Sequence, residues 1–203
     1  NIQYQISTKK WRFAKQQYEL IGMGNAEHLS GNVGWIDLFH WLNVESISNV
    51  PNVDCRSCKW RILTQEEWTY VMKMRSGASS KFGVATVNNV NGIVLLPDEW
   101  VQPNGIVFNS GTGYFAQNNY SISTWKKLEE NGAVFLPAAG YARGGDKYVG
   151  IGELGEAGFY WTGTIYEQNN LQASYFFFTS DSINMGIDSR YIRQSVRLVN
   201  DVN

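Results

Sequence analysis

Cys55 and Cys58 are the only cysteines in this 203-residue chain, and their C-x-x-C spacing is that of half a zinc site or a redox pair. Zinc would need further ligands, and the chain offers only His28 and His40 as histidines. A redox pair usually opens a helix after a strand. These two instead lie in an Asn/Pro/Ser-rich stretch ahead of Trp60. A loop disulfide or two idle thiols fit them better than metal binding or catalysis. Glu66 and Glu67 suggest a catalytic carboxylate pair, but adjacent residues on a helix diverge by about 100° and cannot converge on one atom. With only those two histidines there is no Ser–His–Asp set. The expectation is a non-enzyme with no catalytic residue, no metal and no cofactor.

Composition narrows the alternatives. A chain of this length reads as one domain over residues 1–203, able to bury a large core. Eight Trp, eleven Tyr and twenty Gly beside only 17% charged residues suit many short strands and turns rather than a helical bundle. A net charge of −1 provides no broad basic field, so nucleic acid is not an expected partner. No apolar run approaches the roughly 20 residues that span a bilayer, so no transmembrane segment is expected. The chain opens at Asn1 in what reads as a strand, without a signal-type leader, which predicts a mature or trimmed product.

The elements follow from pattern. Ile2–Ile6 alternates, Thr8-Lys9-Lys10 turns, and Trp11–Ala14 reads as the return strand of a hairpin. Gly22–Asn32 reads as loop, Gly34–Trp41 as a short buried helical turn, and Ser46–Ser57 as a long loop. Thr64 and Glu67 have the spacing of a capping box, and Trp68, Val71 and Met72 then fall on one face of a helix ending near Ser76-Gly77. Val84–Val87 and Ile93–Leu96 flank an Asn-rich turn. The second arm is continuously apolar and predicts a central strand buried on both faces. Gln102–Tyr120 reads as loop. A second helix is expected after Ser123, carrying Trp125 and Leu128 and ending at Asn131-Gly132, with a core strand Val134–Leu136 behind it.

In the tail, Ala173–Thr179 alternates faces. With Phe176 and Phe178 inward, Tyr175, Phe177 and Thr179 point outward. Two exposed aromatic residues mean either a recognition face or a strand buried on both sides. Ser180–Ser189 is rich in Ser, Asp and Asn and reads as a loop. Thr164–Asn170 reads as a second polar loop holding Ile165 and Tyr166. Tyr191 and Ile192 precede the last strand. If both loops and the outward face share one edge, they form one surface.

These blocks resemble the C-type-lectin-like fold over nearly the whole chain. The segments that carry the likeness are Asn1–Gln5, Trp11–Ala14, Gly34–Phe39, Trp60–Trp68, Asn91–Trp100, Leu128–Gly140 and the tail 158–199. The nearest branch is that of bacterial surface proteins diversified by retroelements, with their non-diversified paralogues. The resemblance implies an α+β fold: a mainly antiparallel sheet, two main helices and long loops. It implies a frame of Trp161, Phe176, Phe178, Arg190 and Ser195–Val199. It also implies a displayed ligand-binding set of Ile165, Tyr166, Tyr175, Phe177, Thr179, Asp181, Ser182, Asn184, Tyr191 and Ile192. The function so implied is receptor- or adhesin-like recognition of a protein or glycan ligand, at the cell surface or outside the cell, with a lipid anchor ahead of Asn1 as one means of attachment. Arg193 and Gln194 stand where family tails have Gly and an aromatic residue. Glu167, Gln168, Gln172 and Met185 cannot arise from AAY codons by adenine change alone, so they are fixed or differently encoded.

Three other readings compete. The Leu63-Thr64-x-x-Glu67-Trp68 helix and Val196-Arg197-Leu198 are also similar to the formylglycine-generating enzymes, which share the fold. Those use a late cysteine pair, whereas both cysteines here come before the first strong helix. A calcium-dependent lectin would need roughly six to eight oxygen ligands. The tripeptide Gln102-Pro103-Asn104 looks like such a lectin's motif but comes too early and reads as a turn. The last reading is a structural envelope or pilus component whose tail is only core.

Overall fold

The structure is a computed structural model that describes residues 2–5, 10–13, 60–143, 150–166, 168–169, 171–190 and 192–200. The expected helical turn at 34–41, the loops at 22–32 and 46–57, Cys55, Cys58, His28, His40, Glu167 and Tyr191 lie outside the described residues. The expected N-terminal hairpin is present: β1 (Ile2–Gln5) pairs antiparallel with β2 (Lys10–Phe13).

The main body is mixed α/β with mostly antiparallel sheets. After β3 (Trp60–Ile62) comes α1 (Gln65–Thr69), which continues as a π-turn over Tyr70–Met74. Its start is set locally. The Thr64 hydroxyl accepts from the Glu67 N–H at 3.2 Å, and the Glu67 carboxylate accepts from the Thr64 N–H at 2.8 Å, so two orphan donors are satisfied reciprocally. Buried Arg75 closes the other end. Its guanidinium donates to the carbonyls of Val71, Leu96 and Lys81, and so ties the helix end to the strands beside it.

β4 (Phe82–Val87) and β5 (Val90–Leu95) form a hairpin whose turn residues, Asn88 and Asn89, both take positive φ, 47° and 65°. Asn tolerates that region, and such a turn matches the twist of the flanking strands. With β6 (Asn119–Tyr120) and β7 (Val134–Pro137) they make a four-stranded sheet in the order β6-β4-β5-β7; only the β4–β6 pair is parallel. β5 is central and buried on both faces, with Ile93 and Val94 fully inaccessible. Period two divides the sheet. Phe82, Val84 and Ile93 face one core, with Trp68, Met72, Phe176 and Phe178. Ala85, Val87 and Val94 face the other, beneath Trp125 and Leu128 of α2 (Ile122–Glu130).

α2 starts earlier than expected, because Ser121 rather than Ser123 is its N-cap: the Ser121 hydroxyl accepts from the Thr124 N–H at 3.2 Å. The segment between β5 and β6 is largely irregular, as its composition suggested, and Pro103 and Asn104, but not Gln102, belong to a turn closed by the Ile106 N–H donating to the Pro103 carbonyl. One buried side chain organises this segment. Asn118 donates to the carbonyls of Val84 and Asn109, and accepts from the Asn109 N–H and the Tyr120 hydroxyl.

β8 (Tyr141–Arg143) and β9 (Gly150–Gly152) form a short antiparallel pair. β10 (Gly158–Ile165), β11 (Gln172–Phe178) and β12 (Ile183–Ser189) form a three-stranded sheet. The 180–189 stretch, expected as a loop, is therefore mostly strand. Seven antiparallel register pairs with β11 override its polar composition, and an edge strand can carry polar groups outward. The sheet's inner face joins the first core. Trp68 stacks on Phe176 with centroids 4.5 Å apart and planes within 8°. Burying rings of this size removes 150–250 Å² each from water, about 4–6 kcal/mol at roughly 25 cal/mol per Å². Finally β13 (Leu198–Asn200) pairs with β3, so the end of the tail closes on the strand that precedes α1.

Candidate functional site

The alternation read along β11 holds. Phe176 and Phe178 are buried, whereas Tyr175 and Phe177 are half-buried on the opposite face. That outer face is built by cross-strand pairing. Phe159 lies across from Phe177, Trp161 from Tyr175, Tyr175 from Gly186, and Phe177 from Asn184. The rings touch in series. Tyr141 meets Phe159 edge-on at 5.3 Å, Phe159 lies 5.8 Å from Tyr175 and 6.0 Å from Phe177, and Tyr175 lies 5.8 Å from Phe177. Such spacings are those of attractive aromatic pairs.

One end of this face is roofed. Trp161 and Ala173 sit under Ile62 and Ile192 in a third buried cluster. Ile192, expected on display, is 1% exposed and belongs to the frame. Its apolar side chain fills the space that the β3–β13 pair leaves over β10 and β11, a consequence of long-range pairing that local pattern does not reveal. Of the expected frame, Arg190, Trp161, Phe176 and Phe178 are buried, whereas Ser195, Val196 and Val199 are half-buried and Arg197 is exposed. Burial also draws the Arg190 guanidinium below its ordinary pKa.

The expected single surface divides. β11 runs antiparallel to both neighbours, so the 166–171 connection and the 179–182 turn lie at its opposite ends, roughly 20 Å apart for a seven-residue strand. Ile165 pairs with Ala173 at the first end, and Tyr166 lies just beyond it, its hydroxyl donating to the Gln168 side chain at 2.5 Å. Thr179, Asp181 and Ser182 occupy the second end, where they bond to one another. The Thr179 hydroxyl donates to Asp181 Oδ1 at 2.5 Å and accepts from the Ser182 N–H at 3.1 Å. These polar groups shape the turn. Of the expected set, the structure gathers Tyr175, Phe177 and Asn184 on the open face, with the 179–182 turn at its border.

Residues outside the expected set complete the face. Tyr141 and Phe159 extend the run of rings, and Arg143 lies over the Tyr141 ring at 5.7 Å while pairing with Asp188 at 3.8 Å. Phe159 was within reach of sequence reasoning, since it shares the parity of Trp161 two residues on; Tyr141 and Arg143 arrive from another hairpin and carry no local signal. Two glycines make room. A Cβ on Gly186 would strike the Tyr175 ring, and one on Gly152 would meet the Tyr141 ring at 2.7 Å.

The electrostatics are acidic around Tyr175. Burial first, then the carboxylates of Asp188 and Glu153, hold its hydroxyl above the ordinary tyrosine pKa. Glu153 is itself unusual, a non-glycine residue in the left-handed region at φ 55°, held by the N–H groups of Glu156 and Ala157 donating to its carbonyl. Such a conformation costs on the order of 1 kcal/mol or more and persists where its surroundings enforce it. Ile151 and Leu154 beside it are exposed, at 64% and 67%. Among the described residues no cluster of His, Cys, Asp and Glu has metal-ligand proximity, and no helix is long and apolar enough to cross a membrane.

Residues 107–199 match the model of a family described as a domain of unknown function, DUF8237. That stretch contains every residue of the outer face described above. No curated protein and no solved structure matches the chain.

Proposed function

We propose that this protein is a ligand-binding module of the C-type-lectin-like kind, acting at the cell surface or outside the cell, and that it grips its ligand through the outer face of the β10–β11–β12 sheet. The observation that carries the reading is the series of rings Tyr141, Phe159, Tyr175 and Phe177, in mutual contact and half-buried, on a face that the third cluster roofs at one end only. A core of two packed clusters beneath it gives rigid support. Aromatic anchors on a rigid support supply contact area at little entropic cost, which is how recognition surfaces concentrate their energy. A Tyr/Phe-rich face with polar Asn184 and Asp188 at its border suits a protein ligand better than a glycan.

The test is a screen of wild-type protein against arrays of immobilised extracellular proteins and glycans, run beside Tyr175→Ala and Phe177→Ala. Binding of a specific target should fall by about tenfold or more in both variants, the loss expected of central aromatic anchors. Circular dichroism should show both still folded at the assay temperature, and added chelator should change nothing. Undiminished binding by both variants would place recognition elsewhere.

A further inference from the structure

We infer that the open edge of β12 pairs with β12 of a second copy of this chain, antiparallel and centred on Gly186, so that two outer faces join in one sheet. The pairing does not depend on what the outer face binds. β12 is the edge of the β10–β11–β12 sheet, and its register with β11 fixes which backbone groups look outward. The Thr179 N–H donates to the Ser182 carbonyl at one end of the ladder, and the Arg190 N–H donates to the Leu171 carbonyl at the other. Bonded and unbonded pairs alternate in an antiparallel ladder, so Asn184, Gly186 and Asp188 turn their N–H and C=O groups toward β11. Ile183, Met185, Ile187 and Ser189 turn theirs away.

The flanks of this outward row are closed locally. The Met185 N–H donates to Asn184 Oδ1 at 3.0 Å and the Ser189 N–H to Asp188 Oδ1 at 2.7 Å, while the Ser189 carbonyl accepts from the Ile192 N–H. Among the described residues no protein group meets the Ile187 N–H or the carbonyls of Met185 and Ile187, and Ile187 is 44% exposed. Open groups on a strand edge are a template for another strand.

The strand that fits is β12 itself, because the open groups complement one another about a twofold axis. Centring on Gly186 makes Met185 and the partner's Ile187 a bonded pair. The Ile187 N–H donates to the partner's Met185 carbonyl, twice by symmetry, and the exposed Ile187 side chain covers the partner's Met185. The Met185 N–H passes from Asn184 to the partner's Ile187 carbonyl. Asn184 is then free to donate its amide to the partner's Asp188, which stands directly opposite, and no like charges oppose. Gly186 faces the partner's Gly186 with about 4.5–5.5 Å between Cβ positions. The Tyr175 hydroxyl end occupies that position on each copy, so the two rings meet over the join. The axis is perpendicular to the sheet, which leaves both outer faces on one side.

A contact this narrow falls below the roughly 1,200 Å² of a standard interface, so we expect a dissociation constant of about 100 μM. Sedimentation equilibrium from roughly 5 μM to 1 mM should show monomer passing to dimer, and exchange of the Ile187 amide should slow only where the dimer forms. Ile187→Pro removes an N–H that the β11 ladder does not use, and Ile187→Lys places a charge on the edge; both should remain monomeric. Asn184→Asp, which keeps the side-chain oxygen, sets carboxylates opposite each other and should weaken dimerisation roughly three- to tenfold at low salt. Adding Asp188→Asn to it restores a donor opposite an acceptor and should recover the wild-type constant; this pair decides the matter even if the Ile187 variants do not fold. A wild-type chain that stays monomeric to about 1 mM overturns the inference and leaves the edge to a strand of another protein. A dimer that persists in folded Ile187 variants, or a double variant no tighter than Asn184→Asp, overturns it as well.

Discussion

Gly186 lies directly across the β11–β12 ladder from Tyr175, and a Cβ at Gly186 would run into the Cζ and hydroxyl end of the Tyr175 ring. The outward aromatic residue thus folds down over a neighbour that has no side chain. Its ring reaches over Gly186 and lies 5.8 Å from both Phe159 and Phe177. Gly186→Val should therefore lift the Tyr175 ring. We expect a cost of about 1–3 kcal/mol from overpacking, with altered near-ultraviolet circular dichroism and weakened ligand binding. Unchanged near-ultraviolet dichroism in the folded variant would show that the ring is not held by Gly186.

Trp68 is the joint between helix and tail. It is 1% exposed, stacks on Phe176, and stands at the centre of the first core. Trp68→Ala should destabilise the fold by about 3–5 kcal/mol, or roughly 6–20 °C in Tm for a domain of this size. Denaturant titration reads this directly; a loss below about 1 kcal/mol would mean that the cavity collapses and the stack is not central.

Alkaline pH should weaken the fold through its buried phenols. Burial raises the Tyr120 hydroxyl to about 12, and raises Tyr160 and Tyr175 as well, with Asp188 and Glu153 adding to the shift at Tyr175. A folded-state pKa above the unfolded value means that the native state holds its proton longer. The stability so gained is fully present below the unfolded pKa near 10 and is lost as pH rises through the folded values. Tyrosinate absorbance should show a late-titrating fraction, and Tyr175→Phe should remove part of it. A single titration step near the ordinary tyrosine value would contradict the burial of these groups.

Gln194 is 3% exposed, and neither its Nε2 nor its Oε1 meets a hydrogen-bond partner among the described residues. A buried amide left so costs about 1–3 kcal/mol. Gln194→Met keeps the volume and removes both polar atoms, so it should raise stability by about 1 kcal/mol and Tm by about 2–4 °C. A lowered Tm would instead reveal a polar engagement that the amide needs.

Local physics made much of this legible in advance. Thr64 and Glu67 stand three apart, and the capping box forms because the bonds it needs lie within one turn. The Asn88-Asn89 turn, the two-sided burial of β5 and the opposed faces of Phe176 and Tyr175 likewise follow from short-range spacing. What escaped depends on pairing between strands. β12 looked like a loop because its Ser, Asp and Asn residues are poor strand formers, and only pairing with β11 makes it a strand.

The same boundary runs through the binding face. From its own residues the chain determined that Tyr175 and Phe177 would share a side of β11, because side chains alternate along any extended strand. Only the tertiary structure decided which parts of that side stay open. Ile192 and Ile62 cover Trp161 and Ala173, since β13 returns to pair with β3. Tyr141 and Arg143 join the rings because a separate hairpin is held against them, with Arg143 reaching across to Asp188. Periodicity is a property of a few neighbouring peptide units. Whether a face meets water or another segment depends on contacts with other elements of the chain, and nothing in the local pattern encodes them.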